Sequence, residues 1–292
     1  MWRDARSEWD VEARDSIDFF LGNHYSQEES DALRAVGQGD FVIDRVYAAI
    51  EKLKSLLTSR SPKYSAVGRE DSDSRISNVW RTILEYIWDI SDGDTQFKQA
   101  VHDYATAGMG YLYAYIDPED DYGRGEVKYT YLDPFRVYVD PASRHRYADD
   151  ASGIILSTIL TEDQLINMYP QVEPYIEEID SYYDEEDYPS GGRKNSSQSF
   201  TPDVTYESEY NRINKYRILE RFTKVKVPFY RMFNKQDGSE VILDIEKYND
   251  FIESENAKLL IEAEMIEIVE VMQTRIKVSA TAGDLLLYEQ IL

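Results

Sequence analysis

The stretch His102-Asp103-Tyr104-Ala105-Thr106-Ala107-Gly108-Met109-Gly110-Tyr111-Leu112-Tyr113-Ala114-Tyr115-Ile116 decides how the chain reads, because the period of its residues changes inside it. As far as Ala107 the pattern is helical, and a helix is expected over 94–107. Past Gly110 the residues alternate, with Tyr111, Tyr113 and Tyr115 on one face and Leu112, Ala114 and Ile116 on the other, which is the two-residue period of a strand. The two glycines permit a tight passage from one to the other. Helices therefore belong before residue 108 and strands after it.

Towards the N-terminus, Trp2, Ala5, Trp9, Ala13, Ile17 and Phe20 recur at steps of three and four, the stripe of a helix that stops at Gly22-Asn23. Ser26 to Gly39 is polar and reads as a connection. Asp40 is placed to cap a second helix carrying Ile43, Val46, Tyr47, Ile50, Leu53, Leu56 and Leu57, which Ser61-Pro62 ends. After a turn-rich segment, a third helix carries Ile76, Val79, Trp80, Ile83, Leu84, Ile87 and Ile90 and closes at Asp92-Gly93.

Towards the C-terminus, Asp117 to Gly125 is a loop of turn formers, and Val127 to Leu132 is the returning strand of a hairpin. A short strand over Phe135 to Val139 is expected between Asp133-Pro134 and Asp140-Pro141, and another over Gly153 to Leu160. Thr161-Glu162-Asp163-Gln164 has the spacing of a capping box opening a short helix to Tyr169-Pro170. Glu177 to Asp203 is acidic, then rich in Gly, Ser and Asn, and reads as a mobile loop. Two strands, Lys215 to Thr223 and Val225 to Asn234, are followed by the hairpin turn Asp237-Gly238 and a run over Val241 to Ile245. A helix from Glu246 to about Ala263 then interrupts the sheet, which resumes over Ile266 to Val278 and Leu285 to Leu292.

The fold class is thus α+β, N-terminal helices followed by mixed or antiparallel sheet. The expected parts are a helical region over 1–108, a strand-rich segment with short helices over 109–180, a mobile loop over 181–205, and a second strand-rich segment over 206–292. The apolar ending at Leu292 suggests a chain that continues.

Composition narrows the chemistry. Among 292 residues, 32 Lys and Arg face 56 Asp and Glu, a formal charge of −24 that repels nucleic acid and anionic membrane at long range. Without cysteine there is no disulfide framework, thiolate metal site or cysteine nucleophile. No run reaches the ~18 apolar residues of a membrane span. No phosphate-binding glycine loop is present, and the nearest approach, Gly123-Arg124-Gly125, leads into a strand instead of a helix. No cofactor is expected.

His24, His102 and His145 show no metal-binding spacing; His102 reads as a packing residue and His145, in the basic island Ser143 to Arg146, as a solvated one. Asp117-x-Glu119-x-Asp121 opens like a calcium loop, but its glycine falls one residue late and its twelfth position is Lys128. Asp184 to Asp187 reads as a solvated acidic loop. Tyr111, Tyr113 and Tyr115 could stack bases, but no basic residues interleave them, so they read as packing. Catalytic, cofactor-binding and metal-binding residues are therefore none. The residues singled out are structural turns: Gly108, Gly110, Asp133, Pro134, Asp140 and Pro141.

The order of these motifs resembles the portal proteins of tailed bacteriophages, particularly the short-tailed type. The resemblance is carried by Asp103 to Tyr115, Val127 to Leu132, Asp133-Pro134-Phe135-Arg136-Val137-Tyr138-Val139-Asp140-Pro141-Ala142-Ser143, Asp149-Asp150-Ala151 before Ile154, and Thr161 to Pro170. Leu53 to Val67 with Arg60-Ser61-Pro62, and Tyr216 to Phe222, extend it, so that it covers about residues 40 to 235.

The resemblance implies a non-enzymatic virion protein with the wing-type architecture of a portal, its stem and clip lying beyond Leu292. It implies a dodecameric ring at one capsid vertex, assembled in the host cytoplasm, with the major capsid protein, the terminase large subunit and tail adaptor proteins as partners. Double-stranded DNA would pass through the channel without sequence-specific binding, and the acidic charge suits DNA that must slide without sticking. No membrane is implied. The alternatives are a non-ring phage adaptor or scaffold protein and a Mg²⁺-dependent phage hydrolase.

Overall fold

In the computed structural model the described residues form five helices before residue 108 and a mixture of eight strands and three shorter helices after it. The structure describes residues 1–62, 64–68, 74–118, 120–145, 147–181, 214–235, 238–254, 260, 263 and 265–292. The chain divides into two compact units, one of Met1–Pro141 with Ser181–Lys215, the other of Ala142–Asp180 with Tyr216–Leu292. The class is α+β, with helices first and antiparallel sheets after them.

The first unit holds α1 (Trp2–Phe20), α2 (Gln27–Ala35), α3 (Arg45–Leu57), α4 (Ser74–Ile90) and α5 (Gly93–Ala107). There follow β1 (Tyr111–Asp117), a single turn α6 (Asp120–Gly123), β2 (Glu126–Leu132) and β3 (Val137–Val139). Helix α5 is the centre, packed by α1, α3, α4 and the hairpin. Ala100, Val101 and Ala107 of α5 are buried, as are Ala13 and Phe20 of α1, the helix that packs on it. β1 and β2 pair antiparallel from Tyr111↔Leu132 to Asp117↔Glu126. The other edge of β2 is met by helix side chains: Tyr129 N–H donates to Ser91 Oγ at 2.9 Å and Tyr131 N–H to Gln96 Oε1 at 2.8 Å. Those bonds satisfy backbone groups that a lone hairpin would leave to water.

Three local expectations for this unit are corrected. The polar stretch 26–39 contains α2, because Ser26 Oγ accepts from Glu29 N–H while the Glu29 carboxylate accepts from Ser26 N–H, a complete capping box. The cap of α3 is Asp44, whose carboxylate accepts from Tyr47 N–H at 2.8 Å, whereas Asp40 is bound to Arg34 at 2.6 Å. Residues 134–136 form a 3-10 turn, since the Asp133 carboxylate accepts from Phe135 N–H at 2.9 Å, so the strand starts at Val137.

The second unit holds β4 (Gly153–Thr161), α7 (Glu162–Met168), a 3-10 segment (Pro170–Glu178), β5 (Lys215–Asn234), β6 (Glu240–Leu243), α8 (Ile245–Glu253), β7 (Ile266–Ala282) and β8 (Leu285–Ile291). The strand order here is β4-β5-β7-β8, with β6 paired to β5. The ladder of β5 and β7 runs unbroken from Ile218↔Ala282 to Asn234↔Ile266. Its core side sets Tyr216, Ile218, Ala280, Ala282 and Leu287 against Leu165 of α7 and Val172 and Ile179 of the following segment. Ala280 and Ala282 lack bulk, which lets Leu165 and Val172 close to zero exposure.

The Thr161 capping box forms as expected, Thr161 Oγ1 accepting from Gln164 N–H and Gln164 Oε1 from Thr161 N–H. Two expected strands are one: β5 passes through residue 224 without a break, because β7 offers a partner along its whole length. Glu177 and Glu178, expected in a loop, close the 3-10 segment; the rest of the expected acidic loop, 182–205, lies outside the described residues. The expected helix over 246–263 ends at Glu253 in α8, where Tyr248 stacks on Tyr230 of β5 at 3.5 Å, and most of 255–264 lies outside the described residues.

Candidate assembly surfaces

The Arg6 guanidinium ties helix α1 to the turn before β3. Arg6 Nη1 donates to Pro134 O at 3.0 Å and Val137 O at 2.5 Å, and Nη2 donates to Phe135 O at 2.8 Å. The same group lies 3.0 Å from the Asp10 carboxylate and 4.0 Å above the Tyr138 ring. A planar guanidinium with several donors can bond three carbonyls while its charge faces a carboxylate. Trp9 adds its indole N–H to Ala107 O at 3.0 Å and its ring to Phe135 at 5.2 Å. Arg6 was not among the residues singled out, yet it lies between Trp2 and Trp9 at helical spacing, and a cation inside an apolar stripe was the available signal.

Of the six turn residues, Pro134 meets this anchor directly through its carbonyl. Gly108 ends α5 at φ +80, a left-handed value, and a Cβ there would meet nothing within 4 Å. At Gly110 a Cβ would stand 2.1 Å from Ala100 O and 2.9 Å from its carbonyl carbon. Asp133 caps the 3-10 turn, Pro134 is fully buried, and Asp140 and Pro141 follow β3 at the end of the unit's first segment.

In the calcium-like opening Lys128 Nζ, at the twelfth position, lies 3.0 Å from Asp117 and also pairs with Asp120, and Arg124 lies 3.8 Å from Asp121; Glu119 lies outside the described residues. Hydrogen bonds to Asp120 and Asp117 push the Lys128 pKa up. Among the described residues no group of three His, Asp or Glu is placed to hold a metal ion; Asp184 to Asp187 lie outside them.

The histidines do not converge. His24 stacks on Phe19 at 4.2 Å, His102 meets the Phe20 ring edge-on at 5.0 Å, and His145 lies 3.3 Å from Asp149. The loop around His145 is held by Asp150, whose carboxylate accepts from Ser143 Oγ at 2.5 Å, Arg144 N–H at 2.7 Å and His145 N–H at 3.1 Å. The Ser143 bond first, then those of the backbone, hold its carboxyl far below the usual range.

Tyr113 and Tyr115 stack on each other at 6.0 Å, and Tyr111 donates to Met109 Sδ. Tyr131 bonds to the Asp103 carboxylate, and burial raises the pKa of both groups.

The surface itself is distinctive in α3 and α4. Trp88 of α4 turns inward, to Tyr129 of β2, and bonds Asp94 at 3.0 Å. Ile76, Val79, Trp80, Ile83, Tyr86 and Ile90 face outward, Ile76 at 57% exposure and Trp80 at 54%. Ile43, Tyr47 and Leu56 are likewise exposed on and before α3. Exposed apolar faces of this kind, where contiguous, mark contact with another macromolecule.

In class, then, this is an α+β protein whose first unit carries open contact faces. The family model described as phage P22-like portal protein matches residues 1–291, and the chain belongs to that family of structural phage virion proteins, the head-to-tail connectors of DNA packaging. A search of curated proteins finds no match. Among the described residues no helix is long and apolar enough to cross a membrane.

Proposed function

We propose that this chain is a subunit of the portal ring at one capsid vertex, the channel through which DNA is packaged and ejected. The match to the portal family over residues 1–291 carries the reading. The order of elements supports it: helices, the passage through Gly108 and Gly110, the hairpin, the Asp133-Pro134 turn and the capped helix at Thr161.

In this reading the chain contributes to the wing of a dodecamer. The outward apolar residues of α3 meet neighbouring subunits. The ring is assembled in the host cytoplasm, sits in the major capsid protein shell, and presents docking sites to the terminase large subunit and to tail adaptor proteins. The charge of −24 suits a protein past which DNA slides, because few phosphate contacts mean little retention.

Native mass spectrometry of the protein taken from its particle tests this. A large closed ring with one fixed copy number is expected. A monomer or dimer would overturn the ring and favour a non-ring adaptor.

A further inference from the structure

Helix α4 carries on its outward side a stripe that reads the same in both directions. About Ile83, Ile76 is matched by Ile90, Val79 by Ile87 and Trp80 by Tyr86. The steps along Ile76, Val79, Ile83, Tyr86 and Ile90 alternate three and four, the spacing of a helix-pairing seam. Much of the seam is open: Ile76, Val79, Trp80 and Tyr86 are each at least half exposed, Ile83 and Ile90 are a little over a third exposed and Ile87 is half-buried, while Trp88 is 7% exposed on the opposite side; Tyr86 also donates its hydroxyl to Glu126 of β2 at 2.6 Å. The charges beside the seam are opposite at its two ends, Arg75 at the start and Asp89 near the end. Neither makes an ion pair among the described residues, and both are exposed.

We infer that α4 pairs antiparallel with α4 of a second copy of this chain, across a two-fold axis at Ile83. In that arrangement every apolar position of the seam meets an apolar position of the other helix. Arg75 of each copy lies beside Asp89 of the other, as antiparallel helices require of positions flanking a seam. A parallel pairing would place Arg75 against Arg75 and Asp89 against Asp89, so the charges select the antiparallel one. Subunits related by rotation about a channel axis cannot share such a two-fold contact. The pair therefore belongs to free chains before ring closure, covering the seam while no ring is present, and it goes beyond the portal reading.

The chain has no cysteine, so single cysteines report the contact directly. Under mild oxidation of the full chain, I83C is expected to form a disulfide-linked dimer, because residue 83 meets itself on the axis. I76C alone is expected to stay unlinked, since its two copies stand roughly 21 Å apart along the helices at 1.5 Å per residue. A mixture of I76C with I90C is expected to link. Added to I83C, R75D should lower the linked fraction about tenfold, and the double reversal R75D/D89R should restore it to within about twofold.

Circular dichroism checks that each variant is folded, and the I76C and I90C mixture decides the matter if I83C is not. Failure of I83C and of the mixture to link in folded protein overturns the pairing. So does linkage of I76C with itself, which would show a parallel contact. Neither result bears on the ring, which native mass spectrometry of particle-derived protein decides separately.

Discussion

At the scale of single residues, Gly108 and Gly110 look alike in the sequence and are held by different physics. Gly108 has a positive φ and open space around it, so a side chain there costs only backbone strain. Gly110 lies against the Ala100 carbonyl, and a Cβ has nowhere to go unless α5 or the hairpin shifts. Gly108→Ala is expected to cost about 1 kcal/mol and Gly110→Ala about 3 kcal/mol in denaturant unfolding monitored on the first unit. Equal effects would contradict this assignment.

Arg6 gives a second prediction at this scale. Arg6→Met keeps the apolar stem but strips three carbonyls of their donor and Asp10 of its counter-charge, and an expected loss of about 3 kcal/mol follows from leaving partly buried acceptors and a charge unpaired. Hydrogen exchange should show α1 opening first.

Asp150 gives a third, in pH. Its pKa is lower in the folded chain than its ordinary value of 3.8, so the unfolded state binds the proton more readily. Its contribution is present above about pH 4, and is lost as the pH falls below that value towards the folded pKa. Asp150→Asn should flatten the acid side of the stability profile and leave its shape near neutrality unchanged, as an acid titration followed by tryptophan fluorescence would show.

At the scale of elements, caps decide where helices begin. Asp44→Ala removes the acceptor of Tyr47 N–H and is expected to destabilise α3 by about 1 kcal/mol, whereas Asp40→Ala should cost well under half of that. Comparing the two by thermal unfolding separates a cap from an exposed ion pair. α2 shows the same rule from the other direction. Its residues carry too little apolar pattern to announce a helix, yet Ser26 and Glu29 have the spacing of a capping box and form one. The strand β5 shows the opposite limit. Its alternation falters around Lys224, and only the presence of β7 opposite every position makes it one element.

At the scale of the whole molecule, the acidic excess has a consequence for DNA. The isolated chain is expected not to retain double-stranded DNA at about 0.15 M salt, where a charge of −24 repels the duplex on approach within the Debye length of about 8 Å and offers few phosphate contacts. Fluorescence anisotropy of a labelled duplex checks this, and tight binding would remove one support of the portal reading. Charge here comes from the composition alone. The contact faces do not: α4 is apolar on more than one side, and which side meets Trp88 and the hairpin decides which is left for a partner.

The sequence by itself determined the class, the change from helices to strands at residue 108, most element positions, the capped helix at Thr161 and the family likeness. Each of these depends on the spacing of neighbouring residues or on motif order along the chain, which survive without knowledge of the fold. The tertiary structure alone decided that Arg6 ties α1 to the turn before β3, that Lys128 pairs with Asp117 and Asp120, that β5 is continuous, and that α4 leaves much of its seam open. Those outcomes depend on which groups distant in sequence are brought within hydrogen-bonding or packing distance. Linear periodicity records that a face is apolar, and only packing determines what covers it.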